Sequence, residues 1–283
     1  MNNFFKPYIL TMALFLGSSI CFSQKGKEKS LDSVLESNSE KWKVKQHRPM
    51  FGIAKPSFGT YTTIDAKKLD SPVIRRKTKD GSATEINFSS QGWDLDISKF
   101  KTFEKRKVYM MKMATDEDTV EIAFAVHAIS KEKSQTLAGK LLSKNDEGKD
   151  ETLAYKKIIS GIIMTGFDST YPKFYLEDYL STRQTTDNFS ENKSTITRGY
   201  ILAANDSLFT EPIMHSIDKP TGKYFFEWQK GIFINRINDT HIAALKFTDG
   251  QSPFYIWIRK DIESRLQQAI AAFFTVLIGT MDL

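Results

Sequence analysis

The chain has 283 residues, 40% of them hydrophobic and 26% charged, which sets aside a disordered chain and leaves room for one large domain or two small ones. Its formal charge of +6 is spread thinly. The basic runs (residues 25–29, 41–48, 75–79 and 101–107) are mostly interrupted, so no basic stripe for nucleic acid is expected.

The N-terminus carries one positive charge, Lys6, then an apolar run over residues 8–20. Cys21 and Ser23 place small residues at the −3 and −1 positions of a cleavage before Gln24. This is the layout of a secretory signal peptide over residues 1–23, and the run is shorter than the roughly 20 residues of a membrane span. An uncleaved anchor is one alternative. Lipidation at Cys21 is another, although Ile20 stands where lipoprotein signals want a small residue. Cys21 is the single cysteine and would leave with the signal. The mature chain could then form no disulfide, thiolate metal site or cysteine nucleophile, which suits an exported bacterial protein stabilised by its core.

Residues 24–48 read as a polar tether with a short helix near 30–39, carried by Leu31, Val34 and Leu35. Residues 49–283 read as a single β-rich domain. Aromatics at 12%, with 21 Phe, favour strands. Strands are expected over 50–55 and 58–65, around Pro56. The segments 106–113 and 119–130 flank Thr115-Asp116-Glu117-Asp118 and form a hairpin signature. In the second of them Val120, Ile122, Phe124 and Val126 fall on one face, at period two. A short helix is expected over 134–143, a polar loop over 143–151, a strand over 154–165 and a polar connection over 181–195.

The last third holds a weak internal repeat. Residues 200–209 (YILAANDSLF) align with 233–242 (FINRINDTHI): aromatic, Ile, three residues, Asn-Asp, Ser or Thr, any residue, large apolar. Asn-Asp suits a tight turn, so both copies are expected as hairpins. Strands follow over 223–228, 241–247 and 253–259, with Phe254, Ile256 and Ile258 alternating with Tyr255, Trp257 and Arg259. A helix over 261–281 ends the chain. Its stretch AIAAFFTVLIGTM is apolar on every side, so something must surround it. Thirteen residues give about 20 Å of helix at 1.5 Å per residue, too short for a bilayer core. A long antiparallel sheet curled around the helix would bury it and remove strand edges together. The expected fold is therefore mainly β, an antiparallel barrel of about twelve strands enclosing the C-terminal helix. A β-sandwich with a docked helix, or two β domains split near Thr185, are the alternatives.

Strand-rich text ending in FYIWIRKDIESRLQQAIAAFFTVLIGTMDL resembles the tubby C-terminal-like superfamily, which includes phospholipid scramblases and LURP-one-related proteins. The resemblance covers residues 198–283 and, by strand count, 49–197. It implies a twelve-stranded barrel threaded by a hydrophobic C-terminal helix. It implies no activity. The basic residues with which tubby proteins hold phosphoinositides are not matched, nor is the acylated cysteine-rich segment of scramblases.

Chemistry-bearing motifs are sparse. His47, His127, His215 and His241 form no metal-ligand spacing. Residues 165–170 (TGFDST) have neither elbow nor phosphate-loop spacing. Asp94 and Asp96 share a strand face beside Trp93 and could serve a glycosidase, but a solvated strand face is the favoured reading. Asp116, Glu117 and Asp118 lack the spacing of a calcium loop. No catalytic, cofactor or metal residue is assigned. The expectation is a non-catalytic binding or interaction protein that is periplasmic, outer-membrane-associated or extracellular, with an unknown protein or lipid partner and no membrane span after signal cleavage. Lipid carriage and glycan hydrolysis are the alternatives.

Overall fold

The computed structural model describes residues 27–28, 31, 33–49, 52–69, 75–89, 92–116, 118–135, 151–165, 170–183, 192–203, 206–218, 224–237, 241–247 and 254–281. The signal region lies outside them. The strands are β1 (Lys27–Glu28), β2 (Ser39–Lys43), β3 (Lys45–His47), β4 (Lys55–Phe58), β5 (Tyr61–Lys68), β6 (Arg75–Ser89), β7 (Gly92–Ala114) and β8 (Thr119–Gln135). They continue as β9 (Glu151–Met164), β10 (Lys173–Arg183), β11 (Asn192–Ala203), β12 (Asp206–Asp218), β13 (Tyr224–Arg236), β14 (His241–Lys246) and β15 (Tyr255–Arg259). Two helices are described, α1 (Ser33–Asn38) and α2 (Ser264–Thr280).

The strands form one antiparallel sheet with neighbours in the order β2-β15-β14-β13-β12-β11-β10-β9-β8-β7-β5-β4-β3. Only Val44 separates β2 from β3, so this path of 13 strands returns to the piece of chain where it began. Counting β2 and β3 as one stretch, 13 less one gives a ring of twelve. The barrel of about twelve strands is thus observed, and neither the sandwich nor a split near Thr185 is. Two strands lie off the ring: β1 pairs with β12, and β6 pairs with the first half of β7.

Alternation builds the wall. Val120, Ile122, Phe124 and Val126 of β8 are buried, as are Tyr109, Met111 and Met113 of β7. The hairpin between them closes at the expected turn, where Thr115 N–H donates to the Asp118 carbonyl (2.8 Å).

Helix α2 packs against β4, β8, β11 and β15, which are spaced around the whole ring. Only an element inside the ring can touch all four. Every residue from Ala269 to Thr280 is buried. Phe273 meets Phe174 of β10 edge-on at 6.1 Å, and Thr275 Oγ1 donates to Met113 Sδ (3.4 Å). Packing is tight at the far end, where a Cβ on Gly279 would come within 2.9 Å of Ile53 Cγ2. The helix ends on a buried polar lock. Lys157 Nζ donates to the Thr280 carbonyl (3.1 Å) and pairs with Asp178 (2.8 Å). Thr197 Oγ1 donates to the second Asp178 oxygen (2.8 Å). The last turn has no basic residue, so β9 supplies the cation that faces the negative end of the helix.

A second, smaller core lies outside the barrel. Ile213, Phe233, Ala244 and Trp257 point outward from β12–β15 and are covered by Leu35 of α1. Lys41 Nζ closes over Tyr255 and Trp257, 4.4 and 5.4 Å from the ring centroids. Residues 230–235 of β13, 242–245 of β14 and 256–258 of β15 are therefore buried whichever face they point to.

Several boundaries differ from the sequence reading. The stretch 24–48 is not only a tether: residues 39–47 are β2 and β3, the seam of the ring. Trp42, Val44 and Gln46 turn toward the interior while Lys41, Lys43 and Lys45 face water. A charge at every second position disguised a strand as a linker. Pro56 lies within β4, and a turn at Gly59 (φ 53°) divides the expected strand 58–65. Ser134 and Gln135 end β8 instead of starting a helix; the rest of that expected helix lies outside the described residues. The final helix spans Ser264–Thr280, inside the expected 261–281.

Candidate functional site

The ladder between β11 and β12 is interrupted, and Pro212 bars it from resuming. Their hairpin pairs Ala203 with Asp206, Ile201 with Leu208 and Tyr200 with Phe209, and the ladder stops there. The same register would set Gly199 opposite Thr210 and Thr197 opposite Pro212. Proline has no N–H to give, so the ladder cannot continue past it. Side chains take over. Gly199 N–H donates to Thr210 Oγ1 (2.6 Å). Thr197 N–H donates to Oε1 of Gln229 (2.6 Å), whose Nε2 points back at the Thr197 carbonyl (3.4 Å) and donates to the Gly231 carbonyl (2.8 Å). The Gln229 amide thus stands in for the missing peptide group. Gly199 is required by close approach, since a Cβ there would run into the Tyr175 carbonyl.

A groove of about 480 Å³ opens at this break, lined by Tyr175, Glu177, Tyr179, Arg198, Gly199, Tyr200 and Thr210. Alternation on β10 sends Phe174, Leu176 and Asp178 inward and Tyr175, Glu177 and Tyr179 outward. Register places Tyr175 beside Tyr200, and their rings stack at 5.3 Å with planes 13° apart. Tyr200 is still 42% exposed, and Leu202 and Phe209 beside it are exposed at 44% each. Glu177 is fully engaged: Tyr175 Oη donates to one oxygen (2.6 Å) and Lys156 Nζ pairs with the other (2.9 Å). These donors hold its carboxyl below the usual range. Burial and the neighbouring carboxylate push the Tyr175 phenol up to about 12. The Arg198 guanidinium lies 5.7 Å from the Tyr179 ring centroid; its residue faces Glu177 across the β10–β11 pair, and its charge helps to lower that carboxyl.

The candidates singled out from sequence do not gather here. Asp94 and Asp96 lie on β7 opposite Asn87 and Glu85 of β6, and Trp93 lies opposite Phe88, all off the ring. Asp118 closes its turn, accepting from Thr119 N–H (2.6 Å), and Glu117 lies outside the described residues. His127 contacts Glu104 (2.9 Å) on the β7–β8 pair, while His241 stacks on Phe233 (3.9 Å) near Glu211 (3.7 Å). His215 sits on β12 opposite Glu28 of β1, and His47 ends β3. No group of three metal-ligating side chains forms among the described residues. Among them, too, no helix is long and apolar enough to cross a membrane.

The groove residues went unread in the sequence. The available signal was YLEDY over 175–179, where strand alternation turns two tyrosines outward with one carboxylate between them. No family model, no curated protein and no solved structure matches the chain.

Proposed function

We propose that the protein is a non-catalytic binding protein of the bacterial cell envelope, exported by its N-terminal signal, which recognises its ligand through the groove over β10–β12. The observation that carries this reading is the exposed Tyr200, stacked on Tyr175 where the wall opens and ringed by Leu202, Phe209 and Arg198. An apolar and aromatic concavity with a few charged groups is the general form of a ligand site. The signal layout of residues 1–23 supports export. The ring and its interior helix are the architecture that the tubby-like resemblance implies. Lipid carriage inside the barrel is disfavoured because α2 fills the interior. Hydrolysis at the groove is disfavoured because its one carboxylate, Glu177, has both oxygens engaged.

Co-sedimentation tests the reading. The protein should pellet with an insoluble envelope fraction, and Tyr200→Ala should pellet about tenfold less at equal concentration. Equal pelleting of the two would overturn it, as would no pelleting of either.

A further inference from the structure

We infer that the occupant of this groove is an acidic polysaccharide, a chain of hexopyranose rings bearing carboxylates. The inference rests on the groove being the recognition surface and adds the chemistry of what it recognises.

Three features point the same way. The first is a flat aromatic surface. Tyr175 backs one face of Tyr200, so the ring is held in place while much of it stays open to solvent. A fixed, amphipathic ring offers contact area at little entropic cost, and the C–H face of a pyranose is the complementary flat apolar surface.

The second is an anion-seeking group at the right spacing. Arg198 is two residues from Tyr200 on β11, so both lie on the same side at about 6.6 Å, near the length of one sugar ring. Its guanidinium lies over the Tyr179 ring and directly opposite Glu177 across the β10–β11 pair, with no close ion pair of its own among the described residues. A planar fork of N–H donors matches a carboxylate in two-point geometry. Glu177 is the neighbouring carboxylate, but its two oxygens are taken by Tyr175 and Lys156, so the two cations Arg198 and Lys156 outnumber the one anion.

The third feature counts against a peptide strand. A peptide adding to the sheet needs an open edge with free backbone groups. At the break the donors a strand would need are reduced: Thr197 N–H is bonded to Gln229, Gly199 N–H is bonded to Thr210, and Pro212 has no N–H. Recognition falls to ring faces, hydroxyls and the guanidinium, which is the chemistry of a sugar site.

Three polymers separate the possibilities when their affinities for the protein are measured by calorimetry. Polygalacturonate carries rings and charge, its fully methyl-esterified form carries rings without charge, and polyglutamate carries charge without rings. The wild-type protein should bind polygalacturonate at least about tenfold more tightly than either of the others. Arg198→Gln should abolish the preference over the esterified polymer, and Tyr200→Ala should weaken both polysaccharides by about tenfold. Both side chains are exposed, and the wild-type comparison needs no variant. Equal affinity for polyglutamate would overturn the inference, as would equal affinity for the esterified polymer or no binding of polygalacturonate. Loss of the polysaccharide result with Tyr200-dependent envelope sedimentation intact would remove this inference alone. Loss of both would remove the binding reading as well.

Discussion

Two hairpins built from similar text meet opposite fates. Tyr200 opens one copy of the repeat and is 42% exposed; Phe233 opens the other and is fully buried. Both point outward from the wall. The difference lies in what covers them: Leu35 of α1 and Trp257 roof Phe233, whereas nothing described in the chain roofs Tyr200. Turn geometry diverges as well. Ala203 pairs with Asp206 across two residues, while Asn235 pairs with His241 across five, with a register shift beside it. The first hairpin brings Tyr200 directly opposite Phe209; the second brings Phe233 opposite Ala244. The hairpins are tied together by Arg236, whose guanidinium donates twice to Asp206 (2.7 and 2.8 Å). Similar aromatic positions are thus buried under a cover in one copy and left open to solvent in the other, where the proposed recognition surface lies.

The comparison can be broken or sharpened by experiment. The largest effect should come from removing residues 269–283, because both hairpins lean on α2 from inside. The shortened protein should show no cooperative thermal transition, and a surviving transition would contradict the interior placement of the helix. Next, Phe233→Ala should lower the unfolding free energy by about 3–5 kcal/mol, as for a buried phenylalanine. Tyr200→Ala should change it by about 0.5 kcal/mol or less, as for an exposed site. Denaturant titration of the pair checks this, and equal losses would end the distinction between roofed and open copies.

A smaller loss is expected from Gln229→Leu. It strips Thr197 of the amide that replaces the ladder, leaving a part-buried N–H unpaired at about 1–3 kcal/mol. Hydrogen exchange at Thr197 should accelerate while exchange at Ile201 stays unchanged.

The smallest effect is electrostatic. The Glu177 carboxyl is held below its ordinary value of 4.5, first by the Lys156 hydrogen bond and then by Tyr175. Its contribution is complete above that ordinary value and disappears as pH falls through the lowered one. The stability gap between wild type and Glu177→Gln should therefore be present at pH 7 and close in acid. A gap independent of pH would show that the ion pair plays no part in it.

The interior was largely legible in the sequence, the groove was not. Period-two text in β8, the turn at 115–118 and an all-apolar C-terminal helix each carry a local rule, and together they require a closed sheet around a helix. The seam strands β2 and β3 escaped because lysines at alternate positions mask Trp42 and Val44. The groove escaped for a different reason. Tyr175 and Tyr200 become neighbours only through the β10–β11 register, and the break beside them is set by where the β11–β12 ladder ends. Neither relation is local in the chain. Asp94, Asp96 and the histidines drew attention by residue type alone, and the topology distributes them over separate elements.

The claim on which the rest stands is that ligand is held on the outer wall, at the uncovered copy of the repeat. Hydroxyl-radical footprinting of the protein, with and without the envelope fraction that pellets it, measures this directly. Protection should appear at Tyr200, Phe209 and Tyr179, with Tyr255 and Trp257 unchanged. Protection centred on Tyr255 and Trp257, or none at Tyr200, would contradict the account.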